Sequence, residues 1–190
     1  FTSIGVMQLR DQEKLRLDAP IRSYLPWFNI EQSFAESAPV SLSGVLTHSS
    51  GLPRESDFPY WTGPEGYPFP TREQVKERLA HQKTLYPANT YPQYSNLGLT
   101  LAGEIVAAVS GQSYETYIQE NILKPLGLVD TTPELPDRHK NGRLATGYTA
   151  RTRDGSRKPV SFYVVRGMAP AFGFASTVEE MRRRVAAQPG

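Results

Sequence analysis

The residues of this chain that could do chemistry narrow to one short run, Tyr94-Ser95-Asn96 in "YPANTYPQYSNLGLTLAGEIV". There is no cysteine, so neither a thiolate site nor a disulfide framework is available. His48, His81 and His139 are scattered without a metal-ligand spacing, and no acidic cluster resembles a calcium loop. His48, in "LTHSSGL", reads as a helix-end histidine bonding nearby backbone. The sequence contains no G-x-S-x-G elbow, no glycine-rich phosphate loop and no serine followed three residues later by lysine. What remains is a polar loop turning into an apolar helix at residues 94–96. Ser95 or Asn96 can cap that helix, but a cap gives no reason for the tyrosine. Either Tyr94 packs against a neighbour or its phenol is aimed at a reaction.

The elements that must position this run are mostly helical. Phe1, Ile4, Val6, Met7 and Leu9 share one broad face, predicting a buried helix over 1–10. A turn of helix is expected to carry Ile21, Tyr24 and Leu25. Ser41 starts a brief helix with Leu42, Val45 and Leu46 inward, closed near Gly51. Thr71 and Gln74 form a capping-box pattern opening a helix to about His81. Leu97, Leu101, Ile105 and Val109 recur at helical spacing over 97–110, with Gly111 as the stop. Ser113 opens another helix, with Tyr117, Ile118 and Ile122 inward. "RLATGYTARTRDGSRKPVSFYVV" then has two β-prone runs around Asp154-Gly155, a hairpin composition. Ser176 and Glu179 make a second capping-box pattern, opening a helix toward Gln188.

Composition excludes several function classes. The 21 basic and 19 acidic residues leave a net charge of +2, too small for a strongly steered polyanion binder. The one basic run, Arg182-Arg183-Arg184, reads as a solvated helix tail favoured by the helix dipole. No apolar run approaches the roughly 20 residues that cross a bilayer, so no membrane segment is expected. The length suits one ordinary domain with a sizeable core. The chain opens abruptly inside an apolar helical pattern, at "FTSIGVMQL", and reads as an internal piece of a longer protein. One long loop, residues 51–70, holds five prolines, three glycines and five aromatic residues. Stiffened rings of that kind either wall a pocket or fill gaps over the helices, and composition slightly favours the gaps.

Three stretches in order carry a family resemblance: "FTSIGVMQLRDQEKLRLDAPIRSYLPWF", "SLSGVLTHSSGLP" and "YSNLGLTLAGEIVAAVSGQSYETYIQENILKPLGL". They resemble the serine β-lactamase-related hydrolases: class C β-lactamases, carboxypeptidase-like penicillin-binding proteins and esterases of the same fold. "AFGFASTVEEM" is similar to the family segment that starts a late helix. The resemblance spans essentially the whole chain, more weakly in 52–86 and 131–167. It implies the α/β serine β-lactamase/transpeptidase-like fold, with residues 1–190 as a single domain incomplete at both ends. This part is expected to be α-rich with a β-hairpin: the helical lobe and one cleft wall, most of the central sheet missing.

In that family three motifs build the site: S-x-x-K, then Y-x-N, then a K/H-x-G strand. Only Y-x-N is present, at Tyr94 and Asn96. In relatives the first lies a residue or so upstream of the position of Phe1, and the third would follow well after Gly190. The resemblance implies acyl transfer through a serine ester on a lactam, amide or ester carbonyl, in a small molecule or peptide. Tyr94 would move the proton, and Asn96 would hydrogen-bond the substrate carbonyl and the lysine of the first motif. Ser95 would space and cap, since alternate residues of an extended segment face one way. No cofactor, metal or nucleic acid is implied, and the resemblance favours a periplasmic or secreted location. A phenol titrates near ~10 and a base at neutral pH wants ~7, a gap of roughly 3 units or about 4 kcal/mol. Lysine ammonium groups could close it, but the nearest lysine N-terminal to the motif is Lys83.

The 190 residues alone are therefore expected to be inactive, within a parent that is a serine hydrolase. A catalytically inactive β-lactamase-like binding module shares every visible motif. An all-helical interaction domain, in which Tyr94 merely packs, leaves the ordered motifs unexplained. The family's "PG" before the tyrosine motif is Pro87-Ala88 here, and Pro92 lengthens the approach by one residue, which predicts a shifted loop. The basic "MRRRVAAQ" replaces a more apolar continuation and predicts a frayed tail. Tyr60 and Trp61, in the aromatic loop, hint at ring-bearing or apolar substrates.

Overall fold

A computed structural model describes residues 1–57, 68–135, 142–160 and 162–186, with side chains through Arg183. The tip of the aromatic loop, with Tyr60 and Trp61, and His139 lie outside the described residues.

Among the described residues the chain is α-rich with one β-hairpin. Helix α1 spans Thr2–Asp11, α2 Leu42–Leu46, α3 Arg72–Leu79, α4 Asn96–Ser110 and α5 Tyr114–Ile118, the last running into a π-turn over Gln119–Leu123. Strands β1 (Gly147–Tyr148) and β2 (Pro159–Val160) follow, then α6 over Val178–Ala186. Short 3₁₀ turns cover Ile21–Ser23 and Arg166–Met168.

Local sequence explains most of these starts and stops. The Ser41 hydroxyl accepts the Gly44 N–H at the head of α2. Thr71 and Gln74 close a reciprocal capping box on α3, satisfying two otherwise orphaned donors. Helix α4 ends at Gly111 in the left-handed conformation, φ 71°. Strands β1 and β2 pair antiparallel, Gly147 with Val160 and Tyr148 with Pro159, and are shorter than the β-prone runs suggest. At their turn the Asp154 carboxylate accepts the Thr152 hydroxyl and the Ser156 N–H, which holds its pKa down at about 2.

One expectation is corrected. Helix α6 starts one residue later than the Ser176/Glu179 pattern implies: Thr177 accepts the Glu180 N–H at 3.2 Å. Ser176 instead pairs with the Thr131 hydroxyl. The reason is tertiary, because the buried Glu180 carboxylate accepts the Asp130 N–H (2.9 Å) and the Thr131 hydroxyl (2.6 Å). Helix α6 carries the basic run through Ala186, with Arg182 paired to Glu179 at 2.9 Å one helical turn back, and the end of the tail expected to fray lies outside the described residues. Phe69, the end of the aromatic loop, is buried against Tyr163 and Phe172 and fills the core.

Helix α4 is the axis of the core, buried from Asn96 to Gly98 and again from Thr100 to Val106, with α1, α2 and α5 packed around it. At Gly103 a Cβ would sit 2.2 Å from the Pro170 ring, so only glycine lets this face of α4 meet that loop. The Thr2 hydroxyl donates to the Pro170 carbonyl at 2.6 Å and meets the Tyr114 phenol at 2.6 Å, tying α1 to α5. Burial pushes the Tyr114 phenol well above its ordinary value. Beneath α3, Arg72 reaches Glu104 on α4 (3.2 Å) and Glu115 on α5 (2.7 Å), and Lys76 reaches Glu104 at 3.5 Å. These packed helices hold the N-terminus of α4, where the Tyr94 run sits.

Candidate active site

Tyr94, Ser95 and Asn96 are strapped to the segment that leaves α2. The backbone of 85–93 runs beside 48–51: Leu85 N–H donates to the Gly51 carbonyl (2.8 Å), Asn89 N–H to Ser49 (2.7 Å) and Gln93 N–H to His48 (2.6 Å). Gly51 is required twice over: its φ is 75°, and a Cβ there would lie 2.1 Å from the Tyr86 carbonyl oxygen. Beyond the straps, Asn96 and Leu97 N–H groups donate to the Arg54 carbonyl at 2.8 and 3.1 Å. Residues His48 to Arg54 therefore form a rail along which the run is laid.

Ser95 is fully buried and caps α4. Its hydroxyl donates to the Pro53 carbonyl at 2.6 Å and accepts the Gly98 N–H at 2.8 Å. Tyr94 turns outward and is half exposed. Its ring packs on the His48 imidazole, centroids 4.4 Å apart, with the Arg54 guanidinium carbon 5.4 Å from its centroid. Among the described residues the Tyr94 hydroxyl has no hydrogen-bond partner.

Asn96 lies deeper, 5% exposed. Its Nδ2 donates to Glu55 Oε1 at 2.8 Å, and Arg54 Nε reaches the same oxygen at 3.2 Å. A carboxylate only accepts, so the carboxamide must turn its nitrogen to Glu55. Its oxygen is then free to accept, and among the described residues it has no partner. Arg54 thus joins the pair: its guanidinium stands over the phenol ring and binds the carboxylate that orients the carboxamide.

The cation at Tyr94 is an arginine, whereas Lys83 lies in a backbone bridge with Glu31 elsewhere. Arg54 and Glu55 are site residues that sequence reasoning missed. Their one signal is position, directly after "HSSGLP". His48 does bond backbone at a helix end, as its sequence context suggests, but the group it accepts is the Ser95 N–H, at 3.2 Å. Burial lowers its pKa, favouring the neutral ring. Among the described residues no group of three or more potential ligands could hold a metal ion, and no helix is long and apolar enough to cross a membrane.

The beta-lactamase family profile matches residues 1–190, the whole length. The chain belongs to the beta-lactamase family. A D-alanyl-D-alanine-carboxypeptidase/endopeptidase of Escherichia coli (strain K12), AmpH, is 33% identical over 132 residues, covering 70% of this chain and 34% of that protein. Beta-lactamase-like protein 2 of Dictyostelium discoideum is 31% identical over 138 residues, covering 70% of this chain and 24% of its own. A solved beta-lactamase/D-alanine carboxypeptidase from Yersinia pestis, complexed with citrate, shares the fold with a TM-score of 0.76 at 26% identity, covering 97% of this chain and 49% of that one. The chain thus matches a quarter to a half of these family members' lengths, the part that is mostly helical with a two-stranded sheet.

Proposed function

We propose that this chain forms the tyrosine side of a serine hydrolase active site that acts on lactam, amide or ester carbonyls, its nucleophile coming from sequence outside these 190 residues. The observation that carries the reading is the Tyr94 phenol, half exposed and without a hydrogen-bond partner among the described residues, on backbone bonded at both neighbours. A side chain serving only as packing would gain from burial, whereas a proton carrier needs an open hydroxyl on a fixed backbone.

In this reading the serine oxygen attacks the carbonyl carbon and its proton passes to the Tyr94 phenolate. The carbonyl electron pair moves to oxygen and returns as the leaving group departs, taking the proton from Tyr94. Water then attacks the serine ester, giving one proton to Tyr94, which returns it to the serine oxygen as the acyl group leaves. Arg54 keeps positive charge beside the ring where negative charge develops. The Asn96 carboxamide, oriented by Glu55, presents its oxygen to N–H or ammonium groups at the reaction centre. A periplasmic or secreted setting accompanies this reading.

The test uses nitrocefin and a p-nitrophenyl ester. The 190 residues should give background rates with both. The longer protein should turn over at least one, and Tyr94→Phe there should lower kcat by about 10²- to 10⁴-fold. A loss under twofold would remove Tyr94 from the chemistry. A longer protein that binds without turnover would make the chain part of a binding module instead.

A further inference from the structure

We propose that His48 is the positioning residue for Tyr94: its carbonyl and imidazole grip the N–H groups on either side of that tyrosine, and its ring face braces the phenol. The inference rests on reading Tyr94 as the proton carrier, and it goes beyond that reading in naming what holds the carrier still.

Three contacts of one residue converge on a three-residue window. The His48 carbonyl accepts the Gln93 N–H at 2.6 Å. Its Nδ1 accepts the Ser95 N–H at 3.2 Å. Its ring lies 4.4 Å, centroid to centroid, from that of Tyr94, with a 32° interplanar angle. The peptide unit that follows Tyr94 and the one that enters Gln93 are therefore both held by a residue more than forty positions away in sequence. Between these two grips lie only the backbone torsions of Gln93 and Tyr94, and the imidazole face limits the tyrosine's side-chain torsions.

The local backbone is arranged for this grip. His48 has φ 58°, a left-handed conformation that non-glycine residues seldom adopt, though histidine does so more readily than most. That conformation turns the chain out of α2, which ends at Leu46, and is the one in which carbonyl and ring reach the same segment, residues 93–95. An imidazole accepts at Nδ1 only when that nitrogen is unprotonated, so the working form is neutral, with its proton on Nε2. Imidazolium would offer a donor to the Ser95 N–H, and the grip would open. A misplacement of about 1 Å in a group that transfers a proton costs on the order of 10²-fold in rate, so a residue fixing that geometry is worth its strain.

Two substitutions separate grip from bulk. Asparagine tolerates positive φ and places an amide oxygen near the Nδ1 position, whereas glycine adopts the same φ and offers no acceptor. Amide exchange and ring-proton shifts are read by NMR on the 190-residue protein, with α4 amide shifts as the control for folding. In His48→Gly, Ser95 exchange should rise by about 10-fold or more, the loss of one hydrogen bond of roughly 1.4 kcal/mol, and the Tyr94 ring shifts should move toward random-coil values. In His48→Asn, Ser95 protection should return. In the longer protein His48→Gly should lower kcat by about 10-fold or more with KM within about twofold, and His48→Asn should restore most of it. Unchanged Ser95 exchange and Tyr94 shifts in a folded His48→Gly chain overturn the inference. So does an unchanged kcat when Tyr94→Phe is crippled. If Tyr94→Phe is itself silent, it is the hydrolase reading that fails, and the NMR result still decides whether His48 holds the tyrosine.

Discussion

Removing the Arg72 guanidinium should cost far more than an exposed ion pair would, because of where its partner lies. The Glu104 side chain is 10% exposed, and its Oε1 is buried without a hydrogen bond in the described structure, although Arg72 Nε stands 3.2 Å away. The attraction there is therefore charge to charge, with poor hydrogen-bond alignment. Arg72 also donates to both Glu115 oxygens, at 2.7 and 2.9 Å. Arg72→Met leaves two carboxylates facing one remaining ammonium, Lys76, at 3.5 Å from Glu104. Breaking a fully buried pair costs roughly 3–5 kcal/mol, and Arg72 keeps 29% of its side chain in water, so about 2–3 kcal/mol is expected. For a chain of this size that is a fall in Tm of about 5–10 °C. Calorimetry on Arg72→Met, Glu104→Met and the double variant gives the coupling. The double variant should recover at least about 1 kcal/mol relative to the sum, because the buried Glu104 charge is then gone and only Glu115, whose side chain is 28% exposed, has lost its partner. Simple additivity would refute the idea that Arg72 is what makes the buried Glu104 tolerable.

Glu55→Ala should leave the nearly buried Asn96 nitrogen unpaired, destabilising by about 1–3 kcal/mol, and should shift the Asn96 side-chain amide resonances; unchanged resonances would show that Glu55 does not orient it. Gly103→Ala drives a methyl to 2.2 Å from the Pro170 ring, and the overpacking should cost about 1–3 kcal/mol in urea unfolding; a neutral variant would mean that the loop yields freely. Burial lowers the His48 pKa from 6.5, so the unfolded chain takes its proton first. The stability this provides is complete above about pH 6.5 and is lost as pH falls through the folded value. His48→Asn should therefore flatten that part of a Tm-against-pH profile, and an unchanged slope between about pH 7 and 5 would exclude His48 as its source.

Much of the fold was legible because helix ends are decided within four residues. Ser41, the Thr71/Gln74 box, Gly111 and the apolar spacing of α4 each act on backbone groups beside them. The start of α6 shows where that local logic stops. Ser176-x-x-Glu179 and Thr177-x-x-Glu180 are equivalent patterns in sequence. Burial of Glu180 against Asp130 and Thr131 selects the second. That Phe69 is a ring of the aromatic loop that enters the core was likewise invisible to composition.

By itself the sequence determined the helical elements, the family, and Tyr94 and Asn96 as the candidate pair, since these depend on short patterns and on motifs in order. Only the tertiary structure decided what surrounds the pair. Glu55 reaches Asn96 across 41 residues and His48 reaches Ser95 across 47, and no local pattern encodes such contacts. They exist because Gly51 admits the Tyr86 carbonyl where any side chain would collide, letting one segment lie on the other. The orientation of a phenol and a carboxamide is thus set by the meeting of two distant segments.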